Sequence, residues 1–180
     1  MFVAEKVLQE IVYLLKLNHG RMHLIKMMKE LYLIDRLSIQ ERDTSVSGDA
    51  FFSMQHGPVL SFTLNMLRDI SKNQWGDNLE AIKTRDYYPD ISLTNDLECD
   101  LLSEKEKDYI RSVSVQFYEY SPAEIEEFTH SLEEWSDPQL SSKKIKFADI
   151  MRALGKTDEE IIEAKKEYDF LETLTDLGSK

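Results

Sequence analysis

The sequence has one cysteine, Cys99, which excludes an internal disulfide and a cysteine-rich metal site. Such sparing use of cysteine fits a reducing compartment. No apolar run approaches the roughly 20 residues that a membrane-spanning helix needs. The first ten residues also lack the basic segment and unbroken apolar stretch of a signal peptide. We therefore expect a cytoplasmic protein that does not enter a membrane.

Glycine is also scarce, because the chain has only 6 and none is spaced as a phosphate-binding loop. HExxH and paired-cysteine metal motifs are missing as well. Cys99 stands between Glu98 and Asp100, whose negative charges disfavour a thiolate nucleophile. We therefore predict no catalytic residue, no metal ligand and no cofactor, and we expect that the protein is not an enzyme.

Basic residues are few, and the net charge of the chain is −12. The excess acid lies in residues 76–180, which carry 13 Lys and Arg against 26 Asp and Glu, whereas residues 1–75 carry 9 against 8. This acidic half repels nucleic acid phosphates and favours the encounter with a basic partner. The alternative is a solvated acidic surface that only aids solubility.

Apolar residues recur at helical spacing along most of the chain, which predicts a mainly α-helical fold. Ser103 with Glu106 and Ser121 with Glu124 form capping-box patterns that mark the starts of two helices. The expected helices cover residues 2–17, 22–42, 58–73 and 145–154, together with three that begin after Ser103, Ser121 and Thr157. The last of these places Ile161, Ala164, Tyr168 and Leu171 on one face. We expect it to pack on the domain or to bind a partner.

One segment, residues 49–56, alternates loosely and predicts a short β-strand. Gly57 is expected to end the strand, and Pro58 to occupy the first position of the next helix. An exposed edge of this strand would allow a partner to bind by strand addition. Residues 79–84 and 87–94 carry weaker strand signals, and Pro89 would restrict the second of these strands to a sheet edge.

The order of these elements leaves a winged helix open as an alternative fold. A winged-helix DNA reader needs a basic recognition helix. Arg21 and the helix over residues 22–42 together carry five Lys and Arg residues, but Glu30, Asp35 and Glu41 balance them on the helix surface. The isoelectric point near 4.8 argues further against nucleic acid as the partner.

Asp35 lies four residues after Leu31 and therefore near the apolar stripe of the same helix. A buried carboxylate is costly unless it is paired or hydrogen-bonded. We expect a partner for it from elsewhere, either His56 or a backbone amide near the strand. The alternative is that Asp35 lies at the margin of the stripe and reaches water.

Four motifs occur in a characteristic order along the chain. They are KELYLIDR (29–36), GDAFFSMQHGPV (48–59), LLSEKEK (101–107) and SPAEIEEFTHSLEEW (121–135). Together they make roughly residues 5–136 resemble the Panacea, or SocA-like, antitoxin family. Three positions depart from the family pattern, because Glu30 replaces a leucine, His56 replaces a tyrosine, and Leu60 follows the Gly-Pro-Val turn where proline is frequent.

The resemblance implies a small helical antitoxin that neutralises a cognate toxin by direct protein contact, without catalysis. It also leaves open an adaptor that delivers the toxin to a host protease. We expect an antitoxin domain over residues 1–136 and a helical extension over 137–180. The residues that match the family motifs, and to which we assign structural roles, are Leu31, Tyr32, Asp35, Arg36, Gly48, Gly57, Pro58, Thr129, His130 and Trp135. The candidates for partner contact are Phe51, Phe52, His56, Trp75, Tyr87 and Tyr168.

Overall fold

A computed structural model describes residues 1–166 of the chain. Its elements in chain order are α1 (Ala4–Leu17), β1 (Arg21–His23), α2 (Leu24–Arg42), β2 (Phe51–Met54), β3 (Gly57–Leu60), α3 (Ser61–Arg68), β4 (Leu79–Ile82), β5 (Asp90–Leu93), α4 (Glu104–Gln116), α5 (Pro122–His130), β6 (Lys143–Ile145) and α6 (Phe147–Ala153). Residues 158–166 are helical as well. The prediction of a mainly helical chain with a small β element is confirmed in this coarse form.

Helix α2 lies at the centre of the fold. It packs against α4, α5 and β3, while α1 packs against α4. The α2 side chains of Met27, Leu31 and Ile34 have no solvent exposure. Because neighbours surround α2, the helix has little exposed surface, and Glu30, which we expected on its surface, is fully buried.

Both expected capping boxes are present. The Ser103 hydroxyl accepts a hydrogen bond from the backbone amide of Glu106, and the Glu106 carboxylate accepts one from the backbone amide of Ser103. Ser121 and Glu124 form the same pair at the start of α5. These predictions succeed because a capping box depends only on residues three apart.

The first sheet is antiparallel with the order β1-β5-β4. The prediction that Pro89 restricts its strand to a sheet edge is wrong, because β5 is the central strand. Pro89 precedes β5, so its missing N–H removes no bond from the ladder, and its carbonyl accepts the Leu24 amide at 3.0 Å. Strand β1 was not predicted, since its three residues gain their partners about 70 positions later.

The second sheet has the order β3-β2-β6. Pro58 does not begin a helix as predicted. It lies in the edge strand β3, opposite Ser53, and α3 begins at Ser61. The predicted exposed edge of β2 is also wrong, because Phe51 pairs with Leu60 on one side and with Ile145 on the other. Strand addition at β2 is therefore excluded in this fold.

The third predicted helix ends early, at Arg68. Two short 3₁₀ turns follow, Ile70–Lys72 and Gln74–Asp77. The Asn73 side chain starts the second turn by accepting the Trp75 amide at 2.9 Å. This turn directs the Trp75 side chain into the core.

The described part of the C-terminal extension packs on the rest of the protein. Strand β6 completes the second sheet, and the side chains of Ile145, Ile150, Met151, Ile161 and Ala164 are buried. Tyr168 and Leu171 lie outside the described residues. Contact between the extension and a partner, and the division into 1–136 and 137–180, stay predictions. Within residues 1–166 no helix is long and apolar enough to cross a membrane.

Candidate partner-binding site

Asp35 is fully buried and ties α2 to the loop before β2. Its Oδ1 atom accepts the backbone amides of Val46 and Ser47 at 2.7 and 2.9 Å, and its Oδ2 atom accepts the Ser47 hydroxyl. Burial raises the pKa of Asp35 to about 6, although the bonds from Ser47 and Val46 oppose this shift. The expected backbone partner is therefore present. His56 is not the partner, because it pairs with Glu126.

Tyr32 and Arg36, one turn apart on α2, converge on Glu134 beyond the end of α5. The Tyr32 hydroxyl donates to Glu134 Oε1 at 2.9 Å, and Arg36 Nε donates to the same atom at 2.7 Å. The Glu134 side chain has no solvent exposure. This contact fixes the segment after α5 against the central helix, and sequence reasoning missed Glu134 as a member of the motif cluster.

The sequence analysis does not single out Lys29. Its side chain nevertheless supports the turn between β2 and β3 from the interior of the protein. Its ammonium nitrogen is fully buried and donates to the Pro58 carbonyl at 2.8 Å. Burial lowers the pKa of Lys29 to about 7. Gly57 has φ +91°, and a Cβ atom there would lie 3.0 Å from both Lys29 Nζ and Thr129 Oγ1. Glycine is therefore required here for its conformation and for its small size.

The remaining family-motif residues lie around this centre. His130 and Trp135 stack with ring centroids 4.0 Å apart, and burial lowers the pKa of His130. Gly48 has φ +63°, and a Cβ atom there would collide with the Met1 carbonyl oxygen. The motif residues are thus buried or half-buried, and their contacts hold segments of the protein together.

Two carboxyl groups inside the helical core have no hydrogen-bond partner within residues 1–166. They are those of Glu10 on α1 and Glu30 on α2. Burial raises the pKa of Glu30 to about 8, and Lys26, whose nitrogen is 3.9 Å away, only partly opposes this shift. Burial also raises the pKa of Glu10 well above its ordinary value. The formal charge of −12 therefore overstates the negative charge of the folded protein near neutral pH.

The predicted contact residues do not form one group. Phe51 and Trp75 are core residues, and the Phe51 ring packs edge-on against Tyr32 with centroids 5.8 Å apart. A partner cannot reach either side chain in this fold. Phe52 is half-buried on the opposite face of β2. Tyr168 lies outside the described residues.

The structure does bring His56 and Tyr87 together, through a residue between them. The ring of Tyr88 meets His56 edge-on at 5.4 Å and Tyr87 edge-on at 4.9 Å. We call these three residues the aromatic row. Tyr87 is 92% exposed and lies in the loop over residues 83–89, between β4 and β5. The Thr84 hydroxyl donates to the Tyr88 carbonyl at 3.2 Å and closes this loop.

A helix with several carboxylates, α5, contacts the aromatic row through Glu126. His56 Nδ1 lies 3.0 Å from Glu126 Oε1, which joins the row to α5. Glu124 and Glu127 are exposed on the same helix. The hydrogen bonds from Ser121 lower the pKa of Glu124. Exposed rings beside carboxylates can bind an apolar side chain together with a neighbouring Lys or Arg of another protein. Among residues 1–166 no cluster of His, Cys, Asp and Glu is placed to hold a metal ion.

Comparison with known proteins identifies the domain. A family model described as "Antitoxin SocA-like, Panacea domain" matches residues 27–136, which is more than half of the chain. The match begins later than the resemblance read from the sequence, which started near residue 5. No curated protein and no solved structure gives a significant match to the chain. The extent of the family match is sufficient to assign the chain, which belongs to the SocA-like antitoxin family with a Panacea domain.

Proposed function

We propose that this protein is an antitoxin that neutralises a cognate protein toxin by binding it directly, without catalysis. The observation that carries the proposal is the match of residues 27–136 to a family of antitoxin-like domains. Family membership favours a role in a toxin–antitoxin system. Direct neutralisation is the finer statement that requires its own test.

The aromatic row is the surface that best suits such a contact. Tyrosine is enriched among residues that dominate binding energy, because its rigid ring offers a large contact area and its hydroxyl a hydrogen bond. Tyr87 presents nearly its whole side chain to solvent, and Tyr88 supports it from below. The neighbouring α5 carboxylates would steer a basic toxin towards this surface.

Co-expression with the product of the adjacent gene tests the proposal. Wild-type protein should restore growth and co-purify with the toxic product at moderate salt. Tyr87→Ala should weaken the complex by roughly tenfold or more, as for a binding hot spot. Leu140→Ala is the matched control, because Leu140 is fully exposed on the loop before β6. Circular dichroism should show that both variants are folded.

The outcomes separate the mechanisms. Rescue with a stable complex supports sequestration. Rescue in which the toxin level falls only when a host protease is present supports the adaptor. A toxic neighbour that wild-type protein neither binds nor neutralises would contradict both. Equal affinities of Tyr87→Ala and wild type for the toxin would mean that the toxin contacts a surface other than the aromatic row.

A DNA-binding regulator is the second candidate, and one specific observation favours it. The elements α1, β1, α2, α3, β4 and β5, with β1 paired to β5, follow the order of a winged helix, except that the hairpin β2–β3 lies between α2 and α3. Helix α3 would then be the recognition helix, but Arg68 is its only basic residue. A mobility shift of the upstream DNA that weakens steeply with salt would support this function.

A further inference from the structure

The end of α4 and the turn after it leave three large side chains exposed within six consecutive residues. Val115 is 78% exposed, Tyr118 47% and Tyr120 38%. The Tyr118 amide donates to the Val115 carbonyl at 3.4 Å, so these two residues lie one turn apart. Glu119, between the two tyrosines, is exposed as well. We call these four residues the α4 end surface. Single apolar side chains on a surface need no explanation, whereas a contiguous group of them marks a contact with another molecule.

Contacts with the rest of the protein hold the two tyrosines in place. Lys26 of α2 donates to the Tyr118 carbonyl at 2.7 Å, and the Tyr118 hydroxyl lies 3.1 Å from His19 Nε2. The Tyr120 ring meets the buried ring of Phe117 edge-on, with centroids 5.0 Å apart. A partner would therefore meet side chains that are already ordered, which lowers the entropic cost of binding.

The α4 end surface carries a negative charge that the described part of the chain does not pair. Glu119 is exposed and makes no ion pair within residues 1–166. The ammonium group of Lys26 is largely buried, and it already contacts the Tyr118 carbonyl and, at 3.9 Å, Glu30. A free carboxylate next to exposed rings suits a guanidinium group, which can stack on a ring and pair with the carboxylate at the same time.

We propose that the α4 end surface binds an arginine-bearing segment of a partner protein. The guanidinium group would stack on the Tyr118 ring and pair with Glu119, and an apolar side chain next to the arginine would cover Val115. This surface differs from the aromatic row, whose members belong to the turn between β2 and β3 and to the loop between β4 and β5. The inference therefore does not depend on direct neutralisation of a toxin.

A titration of the full-length, ¹⁵N-labelled protein with a defined peptide tests the contact by NMR. The probe is an acetylated hexapeptide of alternating leucine and arginine, in about 0.15 M salt so that distant carboxylates are screened. The backbone amide signals of residues 115–120 should shift most. The same peptide with lysine in place of arginine should bind more weakly, because an ammonium group does not stack on a ring as a guanidinium group does. Failure of the arginine peptide to bind, or shifts spread over carboxylates throughout the chain, would overturn the proposal.

Substitutions locate the peptide on the surface. Tyr118→Ala and Glu119→Gln should each raise its dissociation constant about two- to fivefold, the range expected for a cation over an exposed ring or beside an exposed carboxylate. Tyr118→Phe keeps the ring and should bind as wild type does. Glu98→Gln is the matched control, because Glu98 is also exposed and makes no ion pair within residues 1–166. Circular dichroism should show that every variant is folded.

Three results would overturn the proposal. The first is equal dissociation constants for wild type, Tyr118→Ala and Glu119→Gln. The second is weaker binding in Tyr87→Ala alone, which would place the peptide on the aromatic row. The third is a wild-type dimer in sedimentation that Tyr118→Ala dissociates, which would assign the α4 end surface to a second copy of the chain.

Discussion

The buried ammonium group of Lys29 lies directly against Gly57, so that a Cβ atom at Gly57 would come within 3.0 Å of Lys29 Nζ. The same nitrogen donates to the carbonyl of Pro58. A buried lysine of α2 thus supports the hairpin turn from the interior of the protein. The close approach explains why glycine lies at the start of β3, although glycine has no strong strand preference.

Gly57→Ala should destabilise the protein by about 2–4 kcal/mol, measured as the free energy of unfolding in urea. About 1 kcal/mol or more comes from placing alanine at positive φ, and the rest from crowding Lys29 and Thr129. Gly155→Ala is the matched control, because Gly155 has φ +78° and no atom lies within 4 Å of the position that its Cβ would take. Equal losses in the two variants would show that the close approach contributes nothing.

The contact of Tyr32 and Arg36 with Glu134 predicts that two substitutions lower the free energy of unfolding by different amounts. Arg36→Ala leaves the Glu134 carboxylate buried without its ion-pair partner and should cost about 3–5 kcal/mol. Tyr32→Phe removes one hydrogen bond to the same oxygen and should cost about 1–2 kcal/mol. Urea unfolding of both variants measures the difference, with Arg152→Ala as the control because Arg152 is an exposed residue of α6. A larger loss for Tyr32→Phe than for Arg36→Ala would contradict this order.

The parts of the fold that the sequence predicts are those specified locally. The capping boxes at Ser103 and Ser121 are correct because each needs only four consecutive residues. Strands β1 and β6 are missed because three residues carry too little pattern, and both gain their partners from distant segments. Pro58 is misplaced because the first turn of a helix and an edge strand both tolerate proline, and only pairing with β2 decides between them.

The sequence predicts the candidate site to about the same extent as it predicts the fold. Alternation along β2 indicates that one of Phe51 and Phe52 points inward, but the hairpin register determines which. The helical position of Asp35 leaves burial and contact with water both open, and the structure shows a buried carboxylate that the expected backbone amides bind. The aromatic row depends on a loop that folds back to bring Tyr88 against His56, some 30 residues away in the chain. Such a meeting leaves no signal in a single sequence.

The stability of the protein should depend more on the carboxylate oxygens of Asp35 than on its negative charge. Asp35→Ala leaves the buried amides of Val46 and Ser47 without an acceptor and should cost about 2–5 kcal/mol. Asp35→Asn keeps one oxygen for these amides and removes a charge that burial disfavours, so its cost should be about 1 kcal/mol. Urea unfolding at pH 7 distinguishes the two. Equal losses would mean that the amides find water or another acceptor.

Glu30 should make the protein less stable as the pH rises. Burial raises its pKa from 4.5 to about 8, so between these values the folded protein holds a proton that the unfolded chain releases. The free energy of unfolding then falls with pH, by up to roughly 1.4 kcal/mol per unit. Lys29 acts in the opposite direction, but only above about pH 7, because burial lowers its pKa to about that value. The range from pH 5 to 7 therefore avoids the contribution of Lys29, and only comparison with a Glu30 variant separates Glu30 from Asp35 and Glu10, whose pKa values burial also raises.

Glu30→Gln should remove this dependence on pH. The variant keeps the size of the side chain and cannot ionise, so its stability relative to wild type should increase steadily from pH 5 to 7. The control Glu5→Gln changes an exposed carboxylate on α1 and should leave a constant difference from wild type. Urea unfolding at closely spaced pH values measures both curves. A constant difference between Glu30→Gln and wild type would show that Glu30 is ionised in the folded protein, with Lys26 or water compensating its charge.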